Sequence, residues 1–335
     1  MKIAFVLPAA LCLLPAFLSA QPIIRAVPAN IQWGYYGAGV KPVLTVKSGE
    51  TARIETVSGI PEMLARLGAE EDDNLRELRE IYAEIKEHGP GPHILTGPVA
   101  VEGAAPGDVL QVDILEIRLR STYGWKMFVP ELGMLPDEFP YERTKLIRLD
   151  ERAGVAEFGP GIRIPLRPFF GSMGVAPPSG RVNSAPPGYY TGNMDNKYLT
   201  AGTTLYMPVH HPGALFAVGD GHAAQGDGEV DLTAIETPLS ALLRFTVRKD
   251  MKLRWPRAET ATHVITMGFH ETLDEAARRA TKEMIEYLVT ARGLSRDDAY
   301  MLVSAAVDLH VTQVVDGSKG VHTMLPKSIF ATPPR

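Results

Sequence analysis

The stretch Gly219-Asp-Gly-His-Ala-Ala-Gln-Gly-Asp-Gly-Glu229 concentrates groups that can do chemistry. Its glycines carry no side-chain bulk and tolerate positive φ, so the backbone between them can wrap closely around a ligand or an ion. Asp220 and His222 stand two apart and therefore face the same side of an extended chain. A carboxylate beside an imidazole is a donor pair suited to a divalent metal. Upstream, Gly192-Asn-Met-Asp-Asn196 offers Asp195 as a third arm and Asn193 as a polar neighbour. Gly-Asp-Gly alone is ordinary turn chemistry. Here Asp220, His222, Gln225, Asp227 and Glu229 crowd one short loop, after the apolar run Leu215 to Val218, and that density points to a site.

Other site chemistries fail on spacing. A calcium loop starting at Asp220 would have Ala224 and Gln225 where an oxygen donor and a glycine belong. No Gly-Lys-Ser/Thr follows to make a phosphate loop, and no His-Glu-x-x-His occurs. Gly171-Ser-Met-Gly174 lacks the full Gly-x-Ser-x-Gly elbow, which leaves Ser172 as a minor nucleophile candidate. His93, in Gly-Pro-His-Ile-Leu-Thr-Gly-Pro98, sits between turns, where loops carry function. Trp33 and the Tyr35-Tyr36 pair are candidates for a pocket wall or for core packing.

The elements that must hold these residues read as mainly β. Pro42 to Thr56 suggests two strands around a Ser48-Gly49 turn, and Val109 to Ile117 a long strand after Pro106-Gly107-Asp108. Shorter strands fit Lys145 to Leu149, Ile162 to Leu166, Leu242 to Val247 and Thr262 to Met267. Between residues 61 and 88 the period changes: Leu75, Leu78, Ile81 and Ile85 form a helical stripe, an insertion on the β scaffold. Thr272-Leu-Asp-Glu275 has the form of a capping box that opens a helix ending at Gly293, and Ser295 opens another. Val311 to Val315 then reads as a strand closed by Asp316-Gly317. The expected organisation is a mainly β core over 21–270, β-sandwich or barrel-like, with an α+β portion over 271–335 packed on it.

Lys and Arg total 34 against 39 Asp and Glu, a net charge of −5 with no basic run, which excludes nucleic acid as a partner class. Residues 1–20 read as a signal peptide: Lys2, an apolar run from Ile3 to Leu18, and Ser19-Ala20 before the cut. The expectation is an exported protein, periplasmic or secreted, with no membrane contact in its mature form. Cys12 is the sole cysteine and lies in that segment. The mature chain would then have neither disulfides nor a cysteine nucleophile.

Across these pieces the chain resembles the acetamidase/formamidase family, which is distinct from the amidase-signature and nitrilase enzymes. The matching residues are Pro42 to Glu50, Gly91 to Ala104 with Pro106-Gly107-Asp108, Gly192 to Asn196, Gly219 to Glu229 with Ala234-Ile-Glu236, Val311 to Asp316, and Gly320-Val-His322. The resemblance implies a mostly β fold, a homo-oligomer, and hydrolysis of short linear amides to carboxylate and ammonia. It also implies a divalent ion, zinc or calcium, near Asp195, Asp220 and His222, with Glu236 as a further ligand. In such a hydrolase Glu229 or Asp227 would move the proton, Asn193 or Gln225 would stabilise the oxyanion, and His93 would orient the substrate. Two competing readings remain: an exported protein of the same fold that binds a small molecule or Ca²⁺ without turnover, and a serine hydrolase using Ser172.

Overall fold

The computed structural model describes residues 21–331. The leader-like segment 1–20, with Cys12, lies outside the described residues.

Among the described residues the strands form two large open sheets, of nine and eleven strands, and a two-stranded ribbon. In the nine-stranded sheet the long strand Val109–Leu119 pairs antiparallel with Leu239–Arg248 on one edge and Thr204–Pro208 on the other. The second sheet carries Phe216–Ala224 at its heart, antiparallel to Phe169–Gly174. The two sheets bury one core between them. Ile54, Val112, Leu243 and Phe245 from the first meet Val99, Phe170, Phe216 and Val218 from the second. The rings of Phe216 and Phe245 touch edge to face across the gap, 5.3 Å between centroids.

Strand alternation was legible, but pairing was not. Leu44–Val46 and Thr51–Glu55 flank the Ser48-Gly49 turn as expected, yet they do not form a hairpin. The first pairs parallel with Ile94–Val101 in one sheet, and the second pairs with Leu239–Arg248 in the other. The turn is a corner where the chain changes sheets.

The insertion is two helices, Pro61–Arg66 and Asp73–Glu84. Asp72 caps the second by accepting from the Leu75 N–H at 2.8 Å. Leu75, Leu78 and Ile81 are buried against Ala26, Trp33 and Trp125, so the insertion has a core of its own on the outer face of the second sheet. Its Glu77 forms a buried ion pair with Arg120, which also donates to the Thr56 carbonyl.

At the C-terminal end a helix spans Leu273–Arg292 and closes on Gly293 at φ 70°. The capping box expected at Thr272 does not form; the Thr272 hydroxyl pairs instead with the His270 ring nitrogen at 3.1 Å. Ser295 does cap the next helix, Arg296–Ala306. The following strand is Asp308–Gln313, and with Lys319–Pro326 it extends the nine-stranded sheet beyond His263–His270. The carboxy-terminal strands thus share the sheet of the main body.

Candidate active site

The central strand of the second sheet changes partner where the chemistry lies. Phe216–Ala224 pairs along one edge with Ile94–Val101 as far as Val218, and with Ile235–Glu236 from His222 onward. Between those two pairings sits Gly219-Asp220-Gly221. Asp220 adopts φ 58°, a left-handed conformation that turns its carboxylate out of the pleat. Asp195 and Glu229 are likewise left-handed, at φ 52° and 43°. Such conformations cost about 1–3 kcal/mol each in a non-glycine residue, and three carboxylates holding them around one cavity mark a site built against local preference.

The cavity measures about 450 Å³. Asp195, Asp220, His222, Glu229, Glu236 and Asp316 converge at its polar end, with Asn193 and His93 beside them. His222 Nε2 lies 3.3 Å from Asp220 Oδ1, 3.3 Å from Glu236 Oε1 and 4.0 Å from Asp195 Oδ1. His93 Nε2 approaches the other Asp220 oxygen at 3.8 Å. On the floor, Gly171 leaves space that a side chain would fill, since an added Cβ would collide with both Asp195 Oδ1 and Asp220 Oδ2.

The hydrogen bonds assign the histidine tautomers. Gln225 Nε2 donates to the Asp195 carbonyl at 2.8 Å, so its Oε1 is the end facing His222 Nδ1, 3.0 Å away. An amide oxygen only accepts, and His222 Nδ1 therefore carries a proton. His93 Nδ1 faces the Ser184 carbonyl at 3.0 Å and donates to it for the same reason. In each ring Nε2 is left aimed at carboxylate oxygens. A neutral Nε2 offers those oxygens only a lone pair, so a proton or a cation must stand between them.

The electrostatics agree. Burial, then the neighbouring Asp220 charge, pushes Asp195 up to about 7. Burial likewise raises Glu229 and Asp316, each further raised by Asp195. Glu236 is raised by burial, against the pull of His222. Burial opposes charging His222, yet Glu236 and Asp220 overcome it and hold the imidazole well above its usual range. Asp220 alone is held low, chiefly by His222 and His93 against its burial. Both Asp195 oxygens and Asp316 Oδ2 are buried with no amide, hydroxyl or cationic donor, and the Asp195 and Asp316 carboxyls can bond each other only by sharing a proton. Orphaned carboxylate oxygens beside an imidazole lone pair make a good cation cage. Ligand atoms of Asp195, His222 and Glu229, and of Asp220, His222 and Glu236, lie within 4.8 Å of one another. The donor set fits a divalent ion.

The structure therefore gathers Asp195, Asp220, His222, Glu236, Glu229, Asn193 and His93 at one cavity. Two expected participants stand elsewhere. Asp227 does not line the cavity; it is paired with Lys197 at 3.1 Å and His310 at 3.0 Å, because the Gly226–Gly228 backbone turns it toward the carboxy-terminal strands. Gln225 spends its amide on His222 and Asp195, which makes it a positioning residue instead of an oxyanion donor. Ser172 is fully buried and hydrogen-bonded to the Tyr36 hydroxyl at 2.7 Å, outside the cavity lining. Sequence reasoning missed Asp316, whose Asp-Gly dipeptide looked like a strand-ending turn. It left Trp33 open between pocket wall and core, and passed over Trp125 and Tyr82; all three line the cavity, while Tyr35 and Tyr36 do not.

Known proteins place the chain independently. The model of the Acetamidase/Formamidase family matches residues 32–185 and 179–332. A formamidase of Methylophilus methylotrophus is 24% identical over 364 residues, covering 86% of each chain. Among solved structures, an acetamidase from Bacillus halodurans is similar at 32% identity and TM-score 0.79, over 92% of this chain and 98% of that one. A predicted acetamidase/formamidase from Thermoanaerobacter tengcongensis is similar at 30% identity and TM-score 0.80, over 92% and 96%. With the mostly β architecture and the Gly192–Glu236 constellation on one cavity, these matches mean that the chain belongs to the acetamidase/formamidase family.

Proposed function

We propose that the protein hydrolyses the C–N bond of linear amides, giving a carboxylate and ammonia, with a divalent ion held by Asp195, Asp220, His222 and Glu236. The activity follows from family membership and from the relatives named formamidase and acetamidase. The observation that carries the site assignment is the pair of imidazoles, each pinned at Nδ1 and turned with Nε2 onto buried carboxylates.

Such an ion, when bound, supplies a Lewis acid for the amide carbonyl and lowers the pKa of a coordinated water. The remaining steps belong to the chain. Gln225 keeps His222 in the tautomer that presents Nε2. Glu229, buried at the polar end beside Asp195 and His222, is the carboxylate that takes a proton from the attacking water and returns it to the departing nitrogen. Water oxygen bonds to the carbonyl carbon, the C–N bond breaks, and the transferred proton leaves on ammonia. Asn193, 2% exposed and lining the polar end, supplies a side-chain amide for the oxyanion. His93, held by Ser184, flanks Asp220 and limits where the substrate carbonyl can lie.

The same reading includes export, supported by the leader-like residues 1–20, and self-association. The latter finds support in the apolar exposed residues Leu309 and Val311 on an edge strand of the nine-stranded sheet, with Tyr300 and Met301 nearby in sequence.

The test is ammonia release from an amide panel, with metal content measured on the same sample. Release abolished by a chelator and restored by a divalent ion is expected. Release that survives complete metal removal would overturn the metal assignment and leave the amidase.

A further inference from the structure

Formamide and acetamide are small for this cavity. At about 30 Å³ of liquid per water, an amide of four heavy atoms displaces on the order of 100 Å³. The cavity holds about 450 Å³. The rest of its wall is largely apolar, formed by Trp33, Val57, Ile60, Tyr82, Trp125 and Met127, and Trp125 stands directly opposite Glu236 in the strand pairing.

That wall is built and braced. Trp33 packs on Tyr82 with ring centroids 4.6 Å apart, and on His88 at 4.6 Å with the planes 14° from parallel. Tyr82 lies on the inserted helix, and His88 follows it. Asn74 of the same helix clamps Ser58 through both backbone groups, at 3.0 Å each. The Ser58 hydroxyl in turn accepts the Trp125 indole N–H at 3.0 Å. With its one polar group satisfied, Trp125 offers the cavity an apolar ring. The insertion therefore positions an aromatic wall about a vacant breadth that a methyl group cannot fill. Among the described residues lining the cavity there is no Lys or Arg, so the apolar part of the wall offers no guanidinium or ammonium to an anionic tail.

We propose that the preferred substrates are primary amides with a neutral, apolar acyl group of arylalkyl size, seated between Trp33 and Trp125. The inference rests on the amidase reading. Because that reaction releases ammonia, the amide nitrogen is unsubstituted and the apolar group belongs on the acyl side.

The experiment compares kcat/KM for ammonia release from acetamide, phenylacetamide, 3-phenylpropionamide and succinamate, using the full metal-loaded protein. The arylalkyl amides are expected to exceed acetamide by at least about tenfold, in keeping with burial of a phenyl ring, and succinamate to fall below it. Trp33→Ala should shrink the arylalkyl-to-acetamide ratio toward one. If that variant does not fold, Ile60→Ser, at a solvent-exposed residue of the same wall, should shrink the ratio several-fold. Acetamide turned over as well as the arylalkyl amides, or succinamate preferred, would overturn the proposal while keeping the amidase. If no amide releases ammonia the amidase reading fails, and tryptophan fluorescence then decides the pocket. Saturable quenching by phenylacetamide, at concentrations where acetamide gives none, supports the aromatic seat; equal responses overturn it.

Discussion

Gln225 decides which nitrogen of His222 meets the carboxylates. Its Nε2 is committed to the Asp195 carbonyl at 2.8 Å, so its Oε1 receives the His222 Nδ1 proton at 3.0 Å. One side chain thereby links two candidate ligands, through the backbone of Asp195 and the ring of His222. Gln225→Leu should lower divalent-ion affinity and kcat by about 10–100-fold while leaving the fold intact, as loss of a ligand-orienting partner does. Metal titration beside steady-state kinetics reads it, and unchanged metal affinity would count against the positioning role.

Gly171 tests the packing of the carboxylates. Its carbonyl accepts the Met194 and Asp195 amides at 2.9 and 3.1 Å, and its Cα hydrogen faces the cluster. Gly171→Ala should displace Asp195 and Asp220 and cost roughly 100-fold in kcat/KM, the scale of an ångström of misplacement. Circular dichroism should be unaltered. Full activity in this variant would mean that the two carboxylates do not need their observed positions.

The metal-free protein should lose stability as pH rises. Asp195 titrates near 3.8 in an unfolded chain and near 7 when folded, so the folded state holds its proton more tightly across that interval. Glu229 and Asp316 are raised in the same sense. His222 adds stability that is complete below pH 6.5 and fades as pH climbs through its elevated folded value. Asp220, held low, contributes a constant amount above its unfolded value of 3.8. Chelated protein is therefore expected to melt on the order of 5 °C lower at pH 8 than at pH 5, with saturating divalent ion removing the difference. A melting temperature flat or rising over that range would refute the buried-carboxylate account.

Arg120 ties the inserted helices to the sheet. Its guanidinium reaches both Glu77 oxygens at 3.0 and 3.1 Å and the Thr56 carbonyl at 2.7 Å, all nearly buried. Burial raises Glu77 and Arg120 pulls it back, so removing the cation leaves a buried acid without its partner. Arg120→Met should destabilise the protein by about 3 kcal/mol in denaturant unfolding. It should also loosen the segment that carries Tyr82. A loss under 1 kcal/mol would show that the pair is dispensable.

What could be read from the residues alone was whatever short-range backbone geometry dictates. Glycines around Asp220 and His222 announced unusual backbone, although what reads as a loop is the strand Phe216–Ala224 with Asp220 turned left-handed within it; a 3.6-residue stripe announced the insertion, and Ser295 and Gly293 marked helix ends where the structure has them. Even there, Thr272 found a competing partner in His270, since a cap is one hydrogen bond among several available to a hydroxyl. The tertiary structure decided the rest. Leu44–Val46 and Thr51–Glu55 went to different sheets because pairing depends on distant strands, which no local period encodes. Glu236 reached His222 through antiparallel register, while Asp227, two residues before Glu229, was drawn away by Lys197 and His310. Asp316, far along the chain, joined the cavity only once the carboxy-terminal strands had docked, and Trp33, Tyr82 and Trp125 met from three separate segments. Spacing sets which way neighbouring side chains point; which carboxylates share a cavity, and which aromatics wall it, is set by long-range packing of the two sheets and the insertion.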